Sequence, residues 1–241
     1  MKKYIILHCH GGGYSTGSTR YARTLTSKLA ASTSMDVLSF DYRLAPEHPY
    51  PAALEDALTA YRYLLDKGYG PEHIMLCGES AGGGLCYSLC MKLKELGMAQ
   101  PAGIIGISPW TDLTVSGESY EQNREVDPSI SVQVLDYCAE CYTENRRDPY
   151  VSPLFGDLSM MPPSLLFVGG DEIMKSDATQ MHEKLLSSGR KCELIVRPDR
   201  WHGYILYGLQ EDEEDLDRIN SFLNTHLSQE HKLRWLKLDN A

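Results

Sequence analysis

Apolar and polar positions along this chain switch repeatedly between two periods. Lys3–His8, apolar from Tyr4 to Leu7, reads as a strand buried on both faces of a parallel sheet. From Arg20 to Ala31 the spacing becomes helical, with Tyr21, Leu25 and Leu29 recurring every four residues. Asp36–Phe40 predicts the next strand, and Ala52–Leu65 a helix that turns Leu54, Ala57, Leu58, Tyr61 and Leu65 inward. Between them, prolines at 46, 49 and 51 exclude regular structure. A further apolar run, Ile74–Cys77, ends in a glycine-rich turn, after which Leu85–Leu96 is helical. Strands follow at Gly103–Trp110, Ser164–Gly169 and Lys191–Arg197, with helical stretches at Ser131–Tyr142 and Ala178–Leu186. A last helix carries Leu216, Ile219, Phe222, Leu223 and Leu227 behind the acidic run Gln210–Asp215, whose charges suit a helix start.

Strand and helix alternate throughout, so the chain predicts one doubly wound α/β domain spanning residues 1–241. Right-handed crossovers would gather the loops at Gly11–Gly13, at Ser80 and after Val168 along the carboxyl edge of the sheet.

Composition narrows the function. At 241 residues the chain can bury a full core. A formal charge of −10, from 23 basic and 33 acidic residues, argues against nucleic acid or an anionic membrane as partner. No apolar run approaches the ~20 residues that span a bilayer, and the run before His8 is too short for a signal-peptide core. A cytoplasmic protein is therefore expected. Seven cysteines at scattered positions do not form a disulfide framework and read as core filler. Cys138-Ala139-Glu140-Cys141 lacks the second pair that a zinc site would want. In His8-Cys9-His10 the cysteine points away from the two histidines, so neither a metal nor a cofactor is expected.

Gly78-Glu79-Ser80-Ala81-Gly82, between an apolar run and a helix, has the form of a nucleophile elbow. The glycines keep Cβ atoms out of a tight turn and leave the serine hydroxyl at the start of a helix, where free N–H groups favour negative charge. His10-Gly11-Gly12-Gly13 supplies a second set of approachable N–H groups, as an acyl-transfer site needs for its oxyanion. A serine nucleophile also requires a base and a carboxylate to orient it. Of the eight histidines, His202 lies just past the last predicted sheet strand and is the best placed base. For the acid, Asp171, Glu172 and Asp177 all follow the Ser164–Gly169 strand; Asp177 reads as the start of the next helix.

In this order, His10–Gly13, Asp41–Glu47, Gly78–Gly83, Ser108–Leu113 and Ser152–Leu154 resemble motifs of the hormone-sensitive-lipase-like carboxylesterases of the α/β-hydrolase fold. The resemblance implies a three-layer sandwich with a mostly parallel sheet. It makes Ser80 the nucleophile and His202 the base, with Gly12, Gly13 and Ala81 as oxyanion donors and His10, Tyr14 and Glu79 as substrate contacts. Residues 171–177 depart from the family's Asp-x-Leu-x-Asp pattern; the register places Glu172 at the acid position, with Asp171 the alternative. The family usually has Asp where Glu79 stands. Residues 112–162 would form a small partial cap. The family's N-terminal cap and first two strands have no counterpart here, so Asp36–Phe40 is expected to be an open edge that a homo-oligomer covers, aided by Leu233, Trp235, Leu236 and Leu238. A shallow, wet pocket would favour small-molecule esters with acetyl to butyryl groups. An amidase or peptidase on the same scaffold, or a small-molecule-binding homologue with weak catalysis, are the competing functions.

Overall fold

Six strands and seven helices make up the regular structure of the computed structural model, which describes residues 4–210 and 213–227. In chain order these are β1 (Ile5–Cys9), α1 (Arg23–Thr33), β2 (Asp36–Ser39), α2 (Ala52–Asp66), β3 (Ile74–Glu79), α3 (Ala81–Glu95) and β4 (Gly103–Ile107). Then come the single turn α4 (Ser119–Gln122), α5 (Val132–Tyr142), β5 (Ser164–Gly169), α6 (Lys175–Ser187), β6 (Cys192–Arg197) and α7 (Glu213–His226). The strands form one sheet in the order β2-β1-β3-β4-β5-β6, and every pair is parallel. Register matches Ile5 with both Asp36 and Ile74, Glu79 with Ile107, and Leu166 with Leu194.

Alternate side chains of each strand feed two cores, as the pleat requires. Ile6, Met75, Ile105 and Phe167 pack under Leu25 and Leu29 of α1 and Phe222 and Leu223 of α7. Leu7, Leu76, Ile104 and Leu166 face the other way, against Leu58 of α2, Leu85 and Leu89 of α3, and Met181 and Leu185 of α6. Helices therefore cover both faces, giving the three layers expected of a parallel sheet whose four inner strands are buried along their whole length.

Some boundaries differ from the sequence pattern. Tyr21 precedes α1 and is 54% exposed, because the helix starts only at Arg23. On α2 it is Leu64, not Leu65, that is fully buried. α6 begins at Lys175, so Asp177 sits in its first turn. β2 is an edge of the sheet among the described residues, whereas Leu233, Trp235, Leu236 and Leu238 lie outside them. No helix among the described residues is long and apolar enough to cross a membrane.

Candidate active site

β3 delivers Ser80 into a backbone conformation of φ 54° and ψ −124°, which L-residues rarely adopt and which costs on the order of 1–3 kcal/mol. Neighbouring strands hold it there. The Ser80 N–H donates to Ile107 O at 2.9 Å, and Ser80 O accepts from the N–H groups of Trp110 at 2.9 Å and Gly83 at 3.0 Å. A Cβ on Gly78 would lie 2.3 Å from Gly82 O, and one on Gly82 would lie 2.0 Å from Cys9 O. Helix, turn and strand approach too closely for any side chain at either position. α3 starts at Ala81, so Ser80 sits at its positive end.

The glycine loop after β1 folds against this turn. The Gly11 N–H donates to Glu79 Oε1 at 2.8 Å, while Glu79 Oε2 meets His8 Nε2 at 2.8 Å and His8 Nδ1 meets Ser39 Oγ at 3.0 Å. Gly12 and Gly13 have φ of 113° and 61°, and Gly12 O accepts from Thr16 N at 2.8 Å. Among the described residues the N–H groups of Gly12, Gly13 and Ala81 donate to no protein acceptor. His10 and Tyr14, expected as substrate contacts, lie inside the fold and outside the cleft lining. The His10 ring stacks on Tyr42 at 4.1 Å and its Nδ1 donates to Gly11 O at 2.7 Å; burial lowers its pKa from the ordinary value. Tyr14 stacks on Tyr142 at 3.9 Å. Both shape the loop from behind. Glu79 does reach the cleft lining, but both of its carboxylate oxygens are engaged by the loop and by His8.

His202 comes from the loop after β6 and Glu172 from the turn after β5, with His202 Nδ1 3.8 Å from Glu172 Oε1. That is ion-pair range and longer than a hydrogen bond. The other oxygen of the buried Glu172 accepts from Ser108 Oγ at 2.7 Å and from Gly169 N at 3.1 Å, leaving Oε1 toward the imidazole. Burial disfavours the His202 imidazolium, but the Glu172 carboxylate, helped by the charge of Asp127, outweighs it, and the pKa ends above its ordinary value. Asp171 is half-buried, and its N–H donates to Arg200 O at 3.0 Å; its carboxylate joins no hydrogen bond among the described residues. Asp177 points away from the base, accepting from the N–H groups of Thr111 and Asp112 at 2.8 Å each and from the Tyr120 hydroxyl at 2.7 Å.

Ser80, His202, Gly12 and Gly13 line one cleft of about 470 Å³. No hydrogen bond joins Ser80 to the His202 ring among the described residues. One wall is Ile130 with Val134, Leu135 and Cys138 of α5; the other carries Tyr21, Leu206 and Tyr207. Three polar residues to which the sequence assigns no role support the acid turn. Ser108 is the one whose hydroxyl donates to Glu172 Oε2. Asn123 Nδ2 donates to Gly170 O at 3.1 Å and Glu172 O at 2.8 Å, and Asp127 Oδ2 accepts from Ile173 N at 2.9 Å. Such an arrangement can deliver a hydroxyl nucleophile, a carboxylate-backed imidazole and free N–H donors to one bound carbonyl.

Residues 6–206 match a protein family described as alpha/beta hydrolase fold. An esterase of Acinetobacter venetianus is 36% identical over 206 residues, covering 84% of this chain and 68% of that protein. An acetyl-hydrolase of Streptomyces hygroscopicus is 35% identical over 224 residues, covering 91% of this chain and 75% of its own length. Among solved structures, the crystal structure of an esterase from the bacterial hormone-sensitive lipase family superposes with a TM-score of 0.92 at 38% identity, covering 95% of this chain and 78% of that one.

Proposed function

Since the chain belongs to the hormone-sensitive-lipase-like carboxylesterases of the α/β-hydrolase fold and is a carboxylic-ester hydrolase, we propose that Ser80, His202 and Glu172 are its catalytic triad. The strained Ser80 turn shares a cleft with His202, whose ring has Glu172 at its Nδ1 side; this juxtaposition carries the reading. His202 takes the Ser80 proton as the oxygen attacks the ester carbonyl, and the N–H groups of Gly12, Gly13 and Ala81 receive the oxyanion. The proton passes to the leaving alcohol, the C–O bond breaks, and an acyl-Ser80 ester remains. Water, deprotonated by His202, then attacks the acyl carbon, and Ser80 leaves with the proton. Each oxyanion donor contributes roughly 3–4 kcal/mol to the transition state.

The substrates are small-molecule esters with acetyl to butyryl groups. The modest, open cleft supports this, as does the similarity to an acetyl-hydrolase. Residues 112–162 act as a partial cap, since this segment brings α5 to one wall of the cleft. A fluorophosphonate probe tests the nucleophile: labelling should map to Ser80 and vanish in Ser80→Ala. Labelling elsewhere, or an unlabelled wild-type protein, would remove Ser80 from the mechanism. Chain-length preference is read from p-nitrophenyl esters, with rates falling beyond butyrate.

β2, an edge of the sheet among the described residues, is the seat of a homo-oligomer, because a strand edge invites pairing between chains. Sedimentation velocity over a concentration series tests this, and a monomer at every concentration would overturn it.

A further inference from the structure

Ser108 stands at the carboxyl end of β4, between the strands that carry Ser80 and Glu172, and is fully buried. Its N–H donates to Phe167 O at 2.7 Å, tying the residue to β5. Its hydroxyl lies 2.7 Å from Glu172 Oε2 and 3.0 Å from the N–H of Gly203, the residue directly after His202. Chemistry fixes the direction of both bonds. A carboxylate oxygen accepts and a peptide N–H donates, so the single hydroxyl proton goes to Glu172 and a lone pair receives Gly203. One side chain thus spans the acid turn after β5 and the base loop after β6. Its φ of 46° is unusual for serine, a strain that the surrounding bonds maintain.

We propose that Ser108 is a positioning residue that holds Glu172 and His202 in register for the reaction. The inference rests on the triad assigned above. Two donors, Ser108 Oγ and Gly169 N, occupy Oε2 and block rotation of the carboxylate, so Oε1 is the oxygen presented to His202 Nδ1. The bond to Gly203 N fixes the backbone on the other side of that 3.8 Å gap. Glu172 matters most once the imidazolium forms, so the hydroxyl acts in the transition state and its loss falls on kcat rather than KM.

The test is a double-mutant cycle. Ser108→Gly removes the hydroxyl while relieving the positive φ, and Ser108→Ala is the second variant at the same backbone conformation. Each is measured alone and with Glu172→Ala, using p-nitrophenyl acetate, whose activated leaving group keeps slow variants measurable. The expected result is a kcat lowered about 10–100-fold with KM within about twofold, and less than about threefold further loss when Glu172 is already absent. Equal losses in both backgrounds, a loss confined to KM, or wild-type kcat in both serine variants would overturn the proposal. Ser80→Ala separates the two levels. If it retains activity, the triad reading itself falls; if it is inactive and the cycle is additive, only the role of Ser108 falls.

Discussion

Glu79, the residue before Ser80, accepts the Gly11 N–H on one carboxylate oxygen while the other meets His8, each at 2.8 Å. The turn that carries Ser80 is thereby bonded to the loop that carries Gly12 and Gly13. Both partners are buried, and removing one leaves the polar atoms of the other without a partner. Glu79→Ala should lose about 1–3 kcal/mol of stability for each buried group it strands, the Gly11 N–H and the His8 ring, and most of its kcat. Glu79→Gln should be far milder, because its carbonyl oxygen still accepts from Gly11 and its amide donates to His8 Nε2 once His8 donates through Nδ1 to Ser39. Urea unfolding of the two variants checks this; equal destabilisation would mean that the carboxylate charge, not the hydrogen-bond geometry, holds the loop.

Glu172 and Asp171 are adjacent, yet only Glu172 reaches the His202 ring. Glu172→Gln keeps the shape of the turn while removing the charge that supports the imidazolium, so kcat should fall by about three to four orders of magnitude. Asp171→Asn should stay within a few-fold of wild type, because its carboxylate joins no hydrogen bond among the described residues. Steady-state rates on p-nitrophenyl butyrate decide between them, and a severe Asp171→Asn would shift the acid by one residue.

As the proposed base, His202 must be neutral to accept a proton; burial lowers its pKa, but the Glu172 carboxylate more than offsets this and the net shift is upward from 6.5. The acid limb of kcat/KM should therefore turn above pH 6.5. In Glu172→Gln burial is left largely unopposed, so the residual activity should turn at lower pH. Linkage runs the same way: the folded state binds this proton more tightly than the unfolded state, so His202 contributes stability below pH 6.5 that is lost as pH rises through its folded pKa. A pH–rate profile that does not move in Glu172→Gln would deny the coupling.

The parts of the site that sequence made legible are those whose chemistry is local. Gly78, Ser80 and Gly82 declare a tight turn because their spacing alone decides whether Cβ atoms collide, and Cys9 O lies where a Gly82 side chain would be. His202 could be placed because a strand of recognisable period precedes it. His10 and Tyr14 could not be judged in the same way: whether an aromatic ring faces a cleft or a neighbouring ring depends on Tyr42 and Tyr142, far away in sequence. Asn123 and Asp127 are polar residues between helices, with no period to mark them, and their bonds to the acid turn exist only once 112–162 folds over β5. Helix starts at Lys175 and Arg23 slipped for a related reason, since neither helix has a side-chain N-cap to announce it.

Asp177 offers a measurement independent of activity. It is fully enclosed, and burial pushes its pKa up to about 8; hydrogen bonds from Tyr120, Asp112 and Thr111 pull the other way, and the Asp112 charge adds to the rise. The folded state therefore holds a proton between about pH 4 and 8 that the unfolded chain releases, so Asp177 lowers stability progressively as pH climbs across that window. Asp177→Asn keeps the shape: its carbonyl can accept from Thr111 and Asp112, and its amide can donate to the Tyr120 oxygen. The variant should lack this pH dependence, so its melting temperature should gain on wild type as pH rises from 5 to 9. Thermal unfolding of both proteins across that range is the check, and parallel curves would mean that Asp177 is already ionised in the fold at pH 5.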